Sequence, residues 1–133
     1  MMWQKICENE TSAACKVGTI IKKKGAEAGI EAFYKMKKAE PGTYTFSEKD
    51  FNMLGYVFLS HKKVNEAIAV FELNVKEYPE SWNVYDSLGE AYMAAKRYEE
   101  SMKNYETALR LNPESEHSKQ QLYKLQTLVS KNP

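Results

Sequence analysis

Little in this chain can build a covalent or metal-held framework. Two cysteines, Cys7 and Cys15, stand among 133 residues. They are too few and too close for a disulfide framework, and no His or Cys spacing suits zinc. Free thiols in a reducing compartment are the expectation. Net charge is nearly absent too: 19 Lys and Arg against 18 Asp and Glu leave +1. Bulk charge therefore argues for neither nucleic acid nor a membrane surface as partner. The run Lys22-Lys23-Lys24 reads as one solvated helix end. No stretch of about 18 apolar residues occurs, so nothing is expected to span a membrane. The start, Met1-Met2-Trp3-Gln4-Lys5, lacks the apolar run of a signal peptide. Asn9-Glu10-Thr11 fits a glycosylation sequon, which without a secretion signal is read as chance. A cytoplasmic protein is expected.

Catalytic patterns are equally scarce. There is no Gly-x-Ser-x-Gly elbow and no Walker glycine loop. Ser60-His61-Lys62-Lys63 contains Ser-x-x-Lys, but no Lys-Thr-Gly follows, and the segment reads as a turn between helices. His61 and His117 are the only histidines, each at an expected helix edge and expected on the surface, without an acid or cysteine at ligand spacing. Asp86 and Glu90 lie four apart on one helix face, a spacing more common on solvated surfaces than in metal sites. Tyr85, Tyr92, Tyr98 and Tyr105 form a stripe expected in the core, since base stacking needs exposure and basic neighbours. The chain is expected to be no enzyme, with no cofactor, no metal, no nucleic acid and no membrane partner.

What the chain does have is a repeat. Laid along itself, segment 48–81 falls in register on 82–115. Leu54-Gly55 falls on Leu88-Gly89, Phe51 on Tyr85, Phe58 on Tyr92 and Val64 on Tyr98. Phe71 falls on Tyr105, Glu66-Ala67 on Glu100-Ser101 and Pro79 on Pro113. Self-similarity at this period is the signature of stacked helix–turn–helix units. Phe51, Leu54 and Phe58 recur at three and four residues, one helix face. Gly55 and Gly89 fall inside helices, where Gly costs about 1 kcal/mol relative to Ala. A helix tolerates that where a side chain is unwelcome, as at a close crossing, with small Ala67 and Ser101 expected opposite. Pro79 and Pro113 end the second helices. Ser47, Ser81 and Ser115 are candidate N-caps, Ser47 with Asp50 resembling a capping box.

A weaker copy precedes these, in 11–44: Val17-Gly18 falls on Leu54-Gly55, Ile21 on Phe58, Ile30 on Ala67 and Tyr34 on Phe71. It needs three extra residues near Tyr44 to Ser47, with Pro41-Gly42 as breaker and Gly25 as the turn between helices. Downstream, Leu122, Tyr123, Leu125, Leu128 and Val129 punctuate a polar stretch and predict one amphipathic capping helix. The sequence thus predicts about seven helices, over 12–24, 26–38, 48–60, 64–77, 82–95, 98–111 and 115–130, and no strands of weight.

These segments resemble tetratricopeptide repeats, closely over 48–115, about half of the chain. Phe51 and Tyr85 stand where the family favours Trp, and Asn74 and Ser101 where it favours Ala. The resemblance implies an all-α fold, a right-handed α–α superhelix of helix hairpins with a C-terminal capping helix. The organisation expected is one domain, 1–133, made of a degenerate repeat 11–44, repeats 48–81 and 82–115, and a capping helix 116–130. It implies a protein-interaction scaffold that takes a peptide or partner domain along its concave groove, lined by the first helix of each pair. On that face lie Lys16, Thr19 and Lys23, then Asn52, Met53, Tyr56 and Leu59. Asn83, Asp86, Ser87, Glu90 and Met93 follow, and the cap adds Gln120, Gln121 and Lys124. Met53, Tyr56, Leu59 and Met93 are expected exposed for apolar contact, with Asn52 and Asn83 bonding an extended backbone. A structural role, with self-association as a homodimer, is the alternative.

The family's carboxylate clamp for acidic chaperone tails does not carry over. In one register its positions hold Asn52, Tyr56, Ser87, His117 and Gln121; in the other, Cys15, Thr19, Met53, Asn83 and Ser87. Without paired cations a carboxylate loses its charge-assisted bonds. The run Tyr78 to Tyr92, with Leu73-Asn74-Val75 before it, is also similar to helical-repeat tails of bacterial serine hydrolases. That likeness implies an accessory module, bacterial, docking on a catalytic domain, with an extracytoplasmic origin as its corollary.

Overall fold

The computed structural model describes residues 2–131; residue 1 and residues 132 and 133 of the expected 1–133 domain lie outside it. Among the described residues eight helices succeed one another: α1 Met2–Ile6, α2 Ala13–Lys24, α3 Ala26–Lys37, α4 Glu48–Ser60, α5 Val64–Glu77, α6 Trp82–Ala94, α7 Tyr98–Leu111 and α8 Glu116–Lys131. There is no strand among these residues, only one isolated parallel bridge between Ser12 and Thr45. Seven of the eight helices fall where the sequence expects them. The eighth, α1, is an addition: five residues are too few to show a period, and a helix that short persists only through tertiary contacts.

Local chemistry sets the helix ends. Ser12 and Ser47 accept hydrogen bonds from Cys15 N (3.1 Å) and Asp50 N (3.2 Å), satisfying orphan amides at the starts of α2 and α4. Ser115 accepts from Ser118 N at 3.3 Å. Ser81 caps α6 without a side-chain bond. Helices α4 and α6 close with the same Schellman motif at equivalent places in the repeat. Lys63 N donates to Phe58 O and Lys62 N to Leu59 O, as Arg97 N does to Tyr92 O and Lys96 N to Met93 O. The motif puts Lys62 and Lys96 at φ 61°, a left-handed conformation that normally favours glycine. After α2 the left-handed residue is Gly25, at φ 97°.

The chain forms two compact units, Met1–Leu73 and Asn74–Pro133. In the first, Phe71 of α5 lies against Gly55: a Cβ there would come within 2.2 Å of the ring. In the second, Tyr105 of α7 covers Gly89, where a Cβ would meet the ring at 2.9 Å. Both glycines therefore mark close crossings within a helix pair. Ser101 adds a 2.6 Å hydrogen bond from its hydroxyl to Gly89 O, so this small residue faces the crossing as expected. Of the tyrosine stripe, Tyr105 and Tyr92 are buried, whereas Tyr85 and Tyr98 are half-buried. The Tyr85 hydroxyl donates to Pro79 O at 2.9 Å, tying the start of α6 to the preceding turn.

The first hairpin departs from this pattern. Phe33, not Tyr34, is buried, at 2% exposure against 41%. Phe33 meets Phe46 and Phe51 edge to face, with ring centroids 5.5 and 5.4 Å apart. The cause is loop length. A single residue, Gly25, joins α2 to α3, where residues 61–63 join α4 to α5. The shorter loop advances α3 by one position relative to α5. Gly29 consequently takes the buried place expected of Ile30, and its Cβ would meet Ile21 at 2.3 Å. At Gly18 the nearest atoms come from Trp3 of α1 and from Leu54, each 2.7 Å from a Cβ built there.

The cysteines also differ from expectation. Cys7 and Cys15 form a disulfide, with Cα atoms 5.1 Å apart. Cys7 directly follows α1 and Cys15 lies in the first turn of α2, so the packing of α1 against α4 and α2 brings them together. The expectation of free thiols is thereby overturned, and with it the ground for a reducing, cytoplasmic setting. No helix among the described residues is long and apolar enough to cross a membrane.

Candidate functional site

The residues expected to bind a partner lie on the first helix of each pair. In the first unit, Lys16 and Lys23 of α2 are exposed, and Thr19 is half-buried, its hydroxyl donating to Cys15 O at 2.9 Å. On α4, Asn52, Met53, Tyr56 and Leu59 are half-buried rather than exposed. Tyr56 lies edge to face on Phe71, centroids 5.1 Å apart, so its ring supports the Gly55 crossing while keeping one side accessible.

In the second unit only part of α6 is accessible. Asn83, Glu90 and Met93 are half-buried, but Asp86 and Ser87 are buried, at 7% and 1% exposure. Both are corrected: neither offers a surface for a partner. Asp86 is instead the centre of a polar network at the start of α8. Ser118 donates to Asp86 Oδ1 at 2.6 Å, Ser115 donates to Ser118 at 2.9 Å, and His117 Nδ1 lies 2.9 Å from Asp86 Oδ2. A carboxylate has no proton to give, so the imidazole donates through Nδ1–H. The carboxylate also faces the first turn of α8, where the helix dipole favours negative charge. Asp86 thus pins α8 to α6 from a position 31 or 32 residues away in sequence. That separation is why no local spacing revealed His117's acidic partner.

On α8, Gln120 and Lys124 are exposed and Gln121 is half-buried. The helix keeps the repeat register: Leu122 stands one full repeat after Leu88, and Tyr123 one full repeat after the crossing Gly89. Tyr123 is 73% exposed. A full side chain therefore occupies the position where the preceding pairs need glycine.

The clamp positions have no cationic set. Asn52, Tyr56, Ser87, His117 and Gln121 include a buried serine and an imidazole already turned to a carboxylate. The Ser-x-x-Lys segment is a helix end: Ser60 Oγ donates to Val57 O at 2.8 Å, and Lys63 N closes the Schellman motif.

The family model described as tetratricopeptide repeat matches residues 82–115, the span of the second full repeat. A bovine relative, DnaJ homolog subfamily C member 3, is 27% identical over 100 residues, covering 75% of this chain and 20% of the relative. The human Superkiller complex protein 3 is 30% identical over 77 residues, 58% of this chain and 5% of the relative. The chain thus spans a fifth or less of these curated relatives. Among solved structures, the first TPR domain of human RPAP3 superposes with a TM-score of 0.62 at 21% identity, covering 90% of this chain and 91% of that one. The first TPR of Spaghetti (RPAP3), bound to an HSP90 peptide SRMEEVD, gives 0.61 at 21% identity, covering 89% and 90%. At such identity the likeness establishes the fold. The two curated relatives are eukaryotic, and neither lends support to the bacterial origin that the hydrolase-tail resemblance implied.

Proposed function

We propose that this chain, a tetratricopeptide repeat domain, is a protein-interaction module that holds a peptide or partner segment against the first helices of its pairs. The observation that carries the reading is what those helices leave at the surface. Their apolar sides are consumed by the crossings at Gly55 and Gly89, yet Asn52, Met53, Leu59, Asn83 and Met93 stay half-accessible. Carboxamides beside apolar side chains suit an extended backbone with an apolar residue, since Asn both donates and accepts. In the first unit Lys16 and Lys23 add basic groups on α2, and in the second Gln120, Gln121 and Lys124 add polar ones on α8. The similar structure bound to an HSP90 peptide supports a peptide as the occupant class. The ligand here is not a carboxylate tail gripped by cations, because the clamp positions carry none and Asp86 places negative charge beside His117. An adjoining catalytic domain is one form of partner these faces would serve. The module has no chemistry of its own in this reading.

Peptide-display selection against the full chain tests it. Ligands that engage the first unit should lose about tenfold or more in affinity on Asn52→Ala, and those that engage the second on Asn83→Ala, the scale of a lost buried hydrogen bond. Ligands indifferent to both substitutions, or no enrichment at all, remove the reading.

A second reading, self-association, is favoured by Leu111, Tyr123 and Val129, large apolar residues of the second unit that stay exposed. Light scattering over a hundredfold range of concentration separates the two: a mass that doubles and reverts on Tyr123→Glu supports a dimer, and a constant monomer mass removes it.

A further inference from the structure

We infer that α1 is a releasable cover, latched by the Cys7–Cys15 disulfide over a notch at Gly18 that accepts an aromatic side chain. At Gly55 and Gly89 the ring on the glycine comes from the second helix of the same pair, so the hairpin itself holds it. At Gly18 it comes from outside the hairpin. Trp3 Cζ3 would lie 2.7 Å from a Cβ on Gly18, so the indole seats directly on the α2 backbone with Leu54 beside it. Lys22 Nζ stands 3.5 Å from the centroid of the same ring, a cation over its π face. Ile6, the last residue of α1, is fully buried.

A five-residue helix has no stability of its own, so α1 stays in place only while contacts and tether outweigh the entropy of ordering it. Its apolar anchors are few, essentially Trp3 and Ile6 where α1 meets α4 and α2, so loss of the tether tips the balance. The covalent link runs from Cys7, next after α1, to Cys15 on α2, a separation of eight residues. A dithiol reductant opens it by exchange: the Cys7–Cys15 bond breaks, two protein thiols form, and the reductant's sulfurs join as its own disulfide. Two electrons and two protons pass to the protein. The segment on the far side of the latch is held separately. Ala13 N donates to Thr45 O at 2.9 Å and Thr45 N to Thr11 O at 2.8 Å, so release ends before residue 11. The open state exposes a glycine-floored notch beside Leu54, shaped for an aromatic residue of another chain.

Amide hydrogen exchange on the full chain, oxidised and then treated with dithiothreitol, tests the latch. Reduction should speed exchange of the α1 amides about tenfold or more while the amides of Ala13 and Thr45 stay protected; Cys7→Ser should do the same without reductant. Unchanged α1 exchange, or acceleration spread evenly through α2 to α5, overturns the inference, the latter because it makes the disulfide a general staple. The notch is tested in trans. A synthetic peptide of residues 2–8, with Ser for Cys7, should bind saturably to full chain carrying Trp3→Ala and Cys7→Ser and not to oxidised wild type. Equal binding to both chains, or to neither, overturns it.

Discussion

The two compact units solve one packing problem in different ways. In the second, α6 and α7 meet where Gly89 lets the Tyr105 ring approach, and the ring arrives in the register the repeat dictates. In the first, α4 and α5 do the same through Gly55 and Phe71, but α2 and α3 do not. There a one-residue loop moves α3 by one position, buries Phe33 in place of Tyr34 and leaves the Gly18 notch to Trp3. Loop length thus decides which of two adjacent aromatics becomes core.

That contrast can be broken most severely at the displaced ring. Phe33→Ala should cost about 3–5 kcal/mol, as buried Phe truncations do, while Tyr34→Ala should change stability by less than about 0.5 kcal/mol. Urea titration of both variants decides the register; equal losses would restore the alignment of Tyr34 with Phe71. The crossings come next. Gly55→Ala puts a methyl group into the Phe71 ring and should destabilise by about 1–3 kcal/mol. Gly89→Ala meets Tyr105 at a looser 2.9 Å, and its gain in helix propensity, about 1 kcal/mol, should leave it near neutral. Thermal melts in which Gly89→Ala is the worse of the two would refute this ordering of the crossings.

Much of this was legible in the sequence because it is local or periodic. Helices α2 to α8 announce themselves by three-and-four spacing, and Pro79 and Pro113 mark where second helices stop. The glycines at 55 and 89 are costly enough to imply a crossing. What stayed hidden is decided by contacts distant in sequence. Asp86 and Ser87 fall on the expected inner face, yet Ser118, two helices further along the chain, draws Asp86 into a buried network. Nothing near Cys7 signals that a five-residue helix would carry it to Cys15. Tyr34 and Phe33 are chemically alike, so an alignment that matches residues by type cannot choose between them.

Smaller effects sharpen the likeness between the regular pairs. Lys62 and Lys96 occupy equivalent left-handed positions, so Lys62→Gly and Lys96→Gly should each stabilise by about 0.5–1 kcal/mol, in equal measure if the two helix ends are equivalent. Denaturant midpoints of the two variants check it. The least effect concerns charge. Arg97 grips Glu100 through Nε and Nη2, and that hydrogen bond holds the Glu100 carboxyl below the usual carboxylate range. A depressed carboxyl contributes stability that is present above its unfolded pKa and is lost as pH falls through the folded one. Glu100→Gln should therefore flatten the acid limb of the stability curve slightly and do nothing in stronger acid. Lys63 and Glu66 stand at the matching positions at the start of α5, where Lys cannot form the two-pronged contact.

The exposed ring of Tyr123 has a consequence for length. A further hairpin closing on α8 would have to bring its second helix over this residue, as α7 comes over Gly89, and a tyrosine there holds it off. The crossing would have to be wider there than at Gly89, and Tyr123→Gly would let it be as close.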